Sequence, residues 1–351
     1  THEGEGEGDG RGSKKPAHHK GKKFQNIWGE GVEDHGSLGG LAKAISFLSG
    51  SAFQRPALPS KSELKRLLPV APRALDTIRS PPGGAVTVTW IGHSSFLVQM
   101  AGANILTDPV FSHRAEPIPY TGPWRYAQLP YQLDELPKID IVLISHSHYD
   151  HLDLATVRKI GNSATFYVGL GLARWFQDEG ITNVVEMDWW GKVPTGFAGL
   201  EVVCTPCKHW GARTPFDAFK TLWCSWILRS SDGCKFLFAG DTALCPAFAD
   251  IGASYGPFTA SAIPIGAFLP RPLIKNHHAS PEDAVQIHED IISENSIGCH
   301  WGTFRQKAWE HVLDPPKLLA AEIERRKMNP SCFTVMKHGE TRVYRPRGTA
   351  R

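Results

Sequence analysis

Short apolar runs separated by glycine- and proline-rich turns fill the chain from about residue 86 onward. Apolar or alternating runs of this kind, bounded by turn residues, predict β-strands. The predicted strands are 86–91, 94–100, 104–107, 139–145, 165–168, 183–187, 200–205, 221–229, 235–239 and 296–299. Helical spacing predicts helices over 62–68, 152–160, 170–179, 281–293 and 315–326, the fourth opened by a capping Ser280 before Pro281. The sequence therefore predicts a compact domain that begins near Val86.

The chain upstream of residue 86 has a different pattern. Residues 1–23 are rich in glycine and charge and have almost no apolar side chains, which predicts a disordered tail over about 1–25. Within 38–53, apolar residues return at helical spacing, and such a stripe packs on a core or docks on a membrane surface. We therefore interpret 26–84 as an N-terminal extension with a membrane-facing helix, and 85–346 as the main domain.

Composition and charge narrow the classes of protein. The 351 residues are 41% hydrophobic and 21% charged, so a sizeable core is expected. The net charge of +3 does not argue for a nucleic-acid partner, and we expect none. No apolar run reaches about 18 residues, so no transmembrane helix is expected. Cys204 and Cys207 form a C-x-x-C pair without a second pair, which favours reduced structural thiols and an intracellular location.

The run H-x-H-x-D-H at 146–151 is the strongest chemical signal in the chain. It follows an apolar strand and offers four metal ligands in six positions: His146, His148, Asp150 and His151. Three more polar residues, His209, Asp241 and His300, each follow a predicted strand in the same way. A polar turn rich in histidine would not also supply ligands at distant strand ends, so the pattern predicts a metal site.

Imidazole and carboxylate ligands without thiolate suit two Zn²⁺, and iron or manganese less often. One ion would take His146, His148 and His209, and the second would take Asp150, His151 and His300. Asp241 can bridge the two ions, which leaves the opposite bridging position for water. Metal binding would lower the pKa of that water toward about 7, so a hydroxide would be present at neutral pH.

The ligand set resembles that of the metallo-β-lactamase superfold. Further blocks between 89 and 340 resemble the N-acyl-phosphatidylethanolamine-hydrolysing phospholipase D family more closely. These blocks are TWIGHSS at 89–95, LTDP at 106–109, LISHSHYDHLD at 143–153, MDWW at 187–190, FAGDT at 238–242, CPAF at 245–248, AIPIGA at 262–267 and HWGTF at 300–304. The resemblance implies an α/β fold, an αββα sandwich of two mixed sheets flanked by helices.

The family resemblance also implies a reaction and partners. The reaction is hydrolysis of N-acyl-phosphatidylethanolamine to an N-acylethanolamine and phosphatidic acid. The partners are a membrane phospholipid, a membrane surface on which the protein is peripheral, and a second copy in a homodimer. Tyr149 and His278 match positions that contact substrate in the family, although His277 leaves open which imidazole faces the phosphate. Asp150, Asp241 and His278 are the residues we expect to be catalytic.

Several residues keep two interpretations at this stage. Asp108 orients a ligand histidine or stabilises a turn, and His93 lies near the metals or only closes a turn. Arg271 and Lys275 attract phosphate or lie on a solvated face. The tryptophans predicted to be in the core, with an acyl groove as the alternative, are Trp189, Trp190 and Trp301.

Rival functions are a lactonase or an RNA-processing phosphodiesterase of the same superfold, and a scaffold without activity. A nuclease is expected to have a basic stripe, which the charge of +3 does not favour. A scaffold would have no need for all seven ligands.

Overall fold

The computed structural model describes residues 16–28, 56–115, 122–197, 199–305 and 309–347. Its centre is formed by two seven-stranded sheets that each mix parallel and antiparallel strands. The first sheet contains, in spatial order, β16 (Thr341–Tyr344), β3 (Val86–Gly92), β4 (Ser95–Met100), β5 (Ala103–Thr107), β6 (Ile141–Leu143), β7 (Thr165–Gly169) and β8 (Val184–Met187). The second contains β15 (Phe333–Val335), β14 (Ser296–Cys299), β13 (Ala260–Pro264), β12 (Lys235–Phe238), β11 (Ser225–Ser230), β10 (Leu200–Thr205) and β9 (Lys192–Pro194).

Strands of the first sheet are apolar on both faces because both faces are covered. Successive side chains of a strand point to opposite faces. Accordingly, Trp90 and Phe96 belong to the large core that includes residues of the second sheet, whereas the adjacent Ile91 and Leu97 belong to a separate outer core. The outer core contains residues of α2 (Leu75–Arg79), α3 (Leu154–Ile160) and α4 (Ala173–Asp178).

Three helices cover the other side of the second sheet. They are α5 (Ala247–Tyr255), α7 (Pro281–Asp290) and α8 (Asp314–Arg325). The other two described α-helices are α1 (Lys61–Leu67) and α6 (Arg271–Ile274). Helix α7 contacts β13, α8 contacts β15, and α7 packs between α5 and α8. The order of layers is helix, sheet, sheet, helix, so the predicted αββα fold is confirmed. None of the described helices combines the length and the apolar character needed to cross a bilayer.

The predicted helix bounds lie within three residues of the observed bounds at both ends. Ser280 caps α7 as predicted: its hydroxyl accepts a hydrogen bond from Asp283 N, and the Asp283 carboxylate accepts one from Ser280 N. The helix ends at Asp290 rather than at 293. Strand β6 covers only Ile141–Leu143 of the predicted 139–145. The two residues after it leave the strand and lead into the H-x-H-x-D-H loop.

The predicted disordered tail over 1–25 is wrong for its last ten residues. β1 (His19–Lys20) and β2 (Lys23–Phe24) pair as a hairpin, and the His18 side chain is buried. The hairpin is ordered by contacts with distant residues, because His18 and His19 both bind Asp188. The amphipathic stripe at 38–53 lies outside the described residues.

The buried His288 on α7 predicts an acid-sensitive stability. Burial lowers the pKa of His288 to about 4, and its Nδ1 lies 2.8 Å from Ser296 Oγ. The unfolded chain therefore binds this proton near pH 6.5, whereas the folded protein does not bind it until about pH 4. The stabilising effect is complete above pH 6.5 and is lost as the pH falls toward 4. Between pH 7 and 5 the contribution falls by about 2 kcal/mol.

His288→Gln should remove this part of the pH dependence. We expect urea unfolding of the metal-free variant to lose about 2 kcal/mol less between pH 7 and 5 than the wild type loses. The exposed His113→Gln is the matched control and should follow the wild type. Equal losses in the wild type and in His288→Gln would contradict the burial argument.

Candidate functional site

The predicted ligands meet at one edge of the sandwich because the strands before them run in the same direction. Strands β5 and β6 are parallel neighbours in the first sheet, and β12, β13 and β14 are parallel neighbours in the second. Their carboxyl ends therefore lie at the same edge of each sheet. Strand β10, which precedes His209, runs in the same direction, because β10 and β12 are both antiparallel to β11. The loops after β6, β10, β12 and β14 bring all seven predicted ligands into one cluster.

The first half of the cluster contains His146, His148 and His209. His146 Nε2 lies 2.8 Å from His148 Nδ1, which lies 3.3 Å from His209 Nε2. These separations are close to the edge of about 3.3 Å expected for ligands in a tetrahedron around zinc. Burial lowers the pKa of His148 to about 4 and holds the pKa values of His146 and His209 well below 6.5. The three rings are therefore neutral at pH 7, which is the form that binds metal.

The second half contains Asp150, His151 and His300. Asp150 Oδ2 lies 3.8 Å from the Nε2 atoms of both His151 and His300. Burial would lower the pKa of His300, but the Asp241 carboxylate outweighs it and raises that pKa to about 9. The pKa of His151 is also raised well above 6.5, against the effect of burial, mainly by Asp241 and Asp150. These two rings hold protons that a divalent cation would replace.

Asp241 lies between the two halves. Its Oδ2 is 3.8 Å from His146 Nε2 and 3.7 Å from His209 Nε2, in the first half. The same oxygen is 3.2 Å from His151 Nε2 and 3.1 Å from His300 Nε2, in the second half. Burial would raise the pKa of Asp241, but the charges of His151 and His300 hold it well below its ordinary value. One carboxylate oxygen therefore lies near ligands of both halves, and the bridging role of Asp241 stays a prediction.

Buried atoms without hydrogen bonds show that the cluster fits divalent cations. His151 Nε2, Asp241 Oδ1 and His278 Nδ1 are buried and make no hydrogen bond among the described residues. A buried polar atom without a partner costs free energy unless something binds it. Once a cation replaces the protons on His151 and His300, imidazoles around a shared carboxylate form a donor set of the kind that zinc binds.

Neighbouring groups fix the ligand rings. Asp108 Oδ2 lies 2.6 Å from His151 Nδ1, and Asp108 Oδ1 accepts a hydrogen bond from Ser145 N. His209 Nδ1 donates to the His277 carbonyl over 2.8 Å. Each contact leaves Nε2 of the ring free to face the cluster. Of its two interpretations, the structure therefore favours Asp108 as the group that orients a ligand histidine.

His93 lies beside the cluster and does more than close a turn. Its Nε2 is 3.1 Å from Asp150 Oδ2, and its carbonyl accepts a hydrogen bond from His300 N. His93, Asp108 and His300 have φ angles of 56°, 33° and 61°, a region in which side chains other than glycine are strained. Strain of this kind is held at sites by the surrounding packing.

Gly240 allows a close approach of two loops at the edge of the cluster. A Cβ at Gly240 would lie 2.6 Å from Ser145 Cβ, and its φ of 63° also favours glycine. This residue allows the loop after β12 to approach the residue that precedes His146.

His278 and Tyr149, the two residues predicted to contact substrate, differ in whether they are available to bind it. His278 Nδ1 is 4.0 Å from Asp241 Oδ2, and its side chain is 19% exposed. His277 contributes its carbonyl to His209, so His278 is the better placed of the two imidazoles. The Tyr149 hydroxyl donates to the Arg213 carbonyl over 2.5 Å. Its only proton is therefore used, and it cannot donate to a phosphate in this arrangement.

The other open interpretations are resolved by contacts. Arg271 forms an ion pair with Asp283 at 2.6 Å, which favours a structural role over phosphate binding.

Trp189 and Trp301 are buried, as predicted. Trp190 is 43% exposed, so its predicted core position is wrong. Its φ of 69° marks a turn that places only Trp189 in the core.

Arg213 supports the H-x-H-x-D-H loop, although the sequence analysis did not identify it. Its Nη1 donates to the carbonyls of Ser147 and Leu152 over 3.1 and 2.9 Å. Its guanidinium lies 4.1 Å from the ring centre of Tyr149 and 4.8 Å from that of Trp175. No local motif surrounds Arg213, so only the fold reveals that it joins both ends of the loop.

Arg213→Lys should weaken metal binding because an ammonium group cannot make both bonds in the same plane. We expect a loss of about 10- to 100-fold in metal affinity, together with a fall in turnover. Arg174→Lys is the matched control, since Arg174 is 81% exposed and pairs only with Asp178 in the described contacts. Metal titration would contradict the role of Arg213 if both variants bound as tightly as the wild type.

Comparisons with known proteins agree with the fold and the cluster. A family model described as "Beta-lactamase superfamily domain" matches residues 103–301. The chain is 36% identical over 297 residues to N-acyl-phosphatidylethanolamine-hydrolyzing phospholipase D 1 of Caenorhabditis elegans, covering 81% of this chain and 82% of that relative. It is 33% identical to the mitochondrial phospholipase D of the same description from Saccharomyces cerevisiae, covering 70% and 53%.

A solved structure adds support for the fold alone. Igni18, a metallo hydrolase from Ignicoccus hospitalis, superimposes with a TM-score of 0.58 at 23% identity, covering 75% of this chain and all of that one.

A relative from Methanopyrus kandleri, 29% identical over 62% of this chain and 84% of its own length, is described as a metal-dependent hydrolase. A metal cofactor is thus indicated by the family and by the histidine and aspartate cluster. The chain is an enzyme that belongs to the N-acyl-phosphatidylethanolamine-hydrolysing phospholipase D family of the metallo-β-lactamase superfamily.

Proposed function

We propose that this protein is a zinc-dependent phosphodiesterase that hydrolyses N-acyl-phosphatidylethanolamine to an N-acylethanolamine and phosphatidic acid. One observation carries the proposal: Asp241 lies between two sets of histidine and aspartate ligands in a chain 36% identical to a relative described by that activity. The described ligands are imidazole and carboxylate, which suit zinc.

The proposed site would hold the two ions with the residues already placed by geometry. The first set is His146, His148 and His209, the second is Asp150, His151 and His300, and Asp241 is shared. Two divalent ions in such a site activate water and offset negative charge on a phosphoryl group. Asp108 and the His277 carbonyl keep the ligand rings in orientation for this chemistry.

Substrate would reach the site from the side where Asp150 and His278 are exposed. Their side chains are 26% and 19% exposed, whereas that of Asp241 is 2% exposed. Asp241 therefore lies at the bottom of the site, and a phosphodiester enters opposite it. Burial lowers the pKa of His278 to about 4, so the ring is neutral at pH 7. A neutral ring can donate one hydrogen bond to a phosphate oxygen as charge builds on it.

The substrate lies in a bilayer, so the enzyme would have to be peripheral on a membrane surface. Phe216 supports this part of the proposal, because it is 85% exposed. It lies at the tip of a turn in which Arg213 N and Thr214 N donate to Asp217, next to the arginine that supports the metal loop. Burying an exposed phenylalanine stabilises by about 1.5–3 kcal/mol, enough to matter for binding to lipid.

Phe216→Ser should weaken the attachment to vesicles. We expect the ratio of turnover on vesicles to turnover on a soluble phosphodiester to fall by about tenfold, which corresponds to the lower end of the burial estimate. The control is Phe216→Leu, which keeps an apolar side chain and should retain most of the ratio. A ratio unchanged in Phe216→Ser would show that this residue does not meet the membrane.

Product analysis tests the reaction itself. Vesicles that contain N-acyl-phosphatidylethanolamine and phosphatidylcholine are incubated with the zinc-loaded protein in ¹⁸O-labelled water, and the products are identified by mass spectrometry. We expect free N-acylethanolamine, with the label in phosphatidic acid because water attacks phosphorus. Cleavage of a soluble phosphodiester without release of N-acylethanolamine would instead favour the RNA-processing alternative. Opening of a lactone as the sole activity would favour a lactonase.

A further inference from the structure

A second group of metal-ligating side chains lies at the N-terminal hairpin, outside the cluster described above. His18 Nε2 lies 2.6 Å from Asp188 Oδ1, and His19 Nε2 lies 2.8 Å from Asp188 Oδ2. Two imidazoles thus present the same ring nitrogen to one carboxylate, with the three ligand atoms within 4.8 Å of one another. These residues are about 170 positions apart in the chain, so the hairpin is fixed to the turn after β8 by this group.

The group is built by contacts that orient each ligand. Trp189 N donates to Asp188 Oδ1 over 2.8 Å, which fixes the carboxylate. The His18 ring is stacked on the Trp189 ring, with 4.2 Å between the centroids. His18 is buried, whereas the side chains of His19 and Asp188 are 22% and 32% exposed. The group is therefore rigid on its inner side and open to solvent on its outer side.

We propose that His18, His19 and Asp188 form a further metal site, which takes a zinc-like divalent cation and fixes the N-terminal hairpin to the catalytic domain. Two imidazoles and one carboxylate are ligands that zinc prefers, and a set of three leaves a position for solvent. The ligand atoms would have to separate by about 0.5 Å to reach tetrahedral spacing. The partly exposed His19 and Asp188 side chains can make this movement.

The site would connect metal occupancy with the catalytic centre through the rest of the hairpin segment. Phe24 N donates to the Phe219 carbonyl over 2.8 Å. Asn26 Nδ2 donates to the carbonyl of His209 over 2.9 Å, and His209 is one of the proposed zinc ligands. Fixing His18 and His19 therefore holds a segment that reaches the backbone of the catalytic cluster. The proposal does not depend on which substrate that cluster hydrolyses.

Counting bound zinc in the full chain tests the site. The wild type and the His18→Gln/His19→Gln variant are equilibrated with micromolar Zn²⁺, freed of excess and measured by elemental mass spectrometry. We expect the variant to hold one zinc per chain fewer than the wild type. His113→Gln is the matched control, an exposed histidine distant in sequence from both clusters, and should hold the wild-type number. Equal zinc content in the wild type and the double variant would overturn the proposal.

Trypsin provides a second measurement that does not depend on activity. Lys20, Lys22 and Lys23 are exposed on the hairpin and offer cleavage sites. Zinc should slow their cleavage in the wild type, and this protection should be lost in the double variant. The ligands of the catalytic cluster are unchanged in the variant, so a slowing of cleavage by zinc that only the wild type shows is assigned to the new site. Asp188→Asn, which keeps the shape of the side chain, replaces the double variant if that variant does not fold. Cleavage that responds to zinc equally in the wild type and the variant would show that the group is only a hydrogen-bonded clamp.

Discussion

Asp241→Asn is expected to lower phosphodiesterase turnover by about 10³-fold or more and to reduce the number of bound metal ions. The reason is the position of Asp241 Oδ2, which lies 3.1–3.8 Å from four ring nitrogens in both halves of the cluster. An amide keeps the size of the side chain but removes its negative charge and one acceptor oxygen. In the proposed site, the two cations would then lose a shared ligand and the negative charge that offsets their mutual repulsion.

Turnover of a soluble phosphodiester and metal content should be measured on the same preparation of Asp241→Asn. Asp178→Asn is the matched control, because Asp178 is 57% exposed and pairs with Arg174 on the surface. Circular dichroism separates loss of metal from loss of fold. If Asp241→Asn kept full turnover and the wild-type metal content, the bridging role of Asp241 would be wrong.

The grouping of the candidate ligands was largely predictable because each ligand segment begins within four residues of the end of an apolar strand. The pattern of β12 shows where the strand ends, and Asp241 stands three residues beyond its last residue, Phe238, after Ala239 and Gly240. Parallel strands bring their carboxyl ends to one edge, so a list of strand ends is already a list of neighbours. The division of the ligands into two sets could therefore be predicted without any knowledge of contacts between side chains.

Other features depended on contacts that no local pattern contains. The hairpin at 19–24 is polar and short, and it is held by Asp188 from a distant part of the chain. Helix α5 was missed because it contains Gly252, which is unfavourable in a helix interior. Gly252 is there because a Cβ would lie 1.9 Å from the Asp290 carbonyl oxygen. Close packing of two helices therefore overrides the local preference.

The charge state of the cluster, which the sequence did not reveal, bears on the role of His278. His278 Nδ1 lies 4.0 Å from Asp241 Oδ2, but burial still lowers the pKa of its ring to about 4. The nearby His300 contributes to this lowering, and divalent cations in the cluster would act in the same direction. At pH 7 the ring is therefore neutral and is a poor source of a proton for the leaving alkoxide. We infer that it binds a phosphate oxygen by a hydrogen bond.

His278→Asn should therefore lower kcat by about 10²-fold while the metal content stays at the wild-type value, since a single hydrogen-bond donor to developing charge contributes about this much. The loss should be similar for a diester with an alkoxide leaving group and for one with a nitrophenolate leaving group, because the lost bond is to an oxygen that does not leave. His277→Asn tests the neighbouring ring and should have a smaller effect, since its contribution to His209 is a backbone carbonyl that the substitution retains. A nitrophenolate leaving group needs no proton. If that substrate restored turnover in His278→Asn to the wild-type rate, His278 would be a general acid, and the hydrogen-bonding role would be wrong.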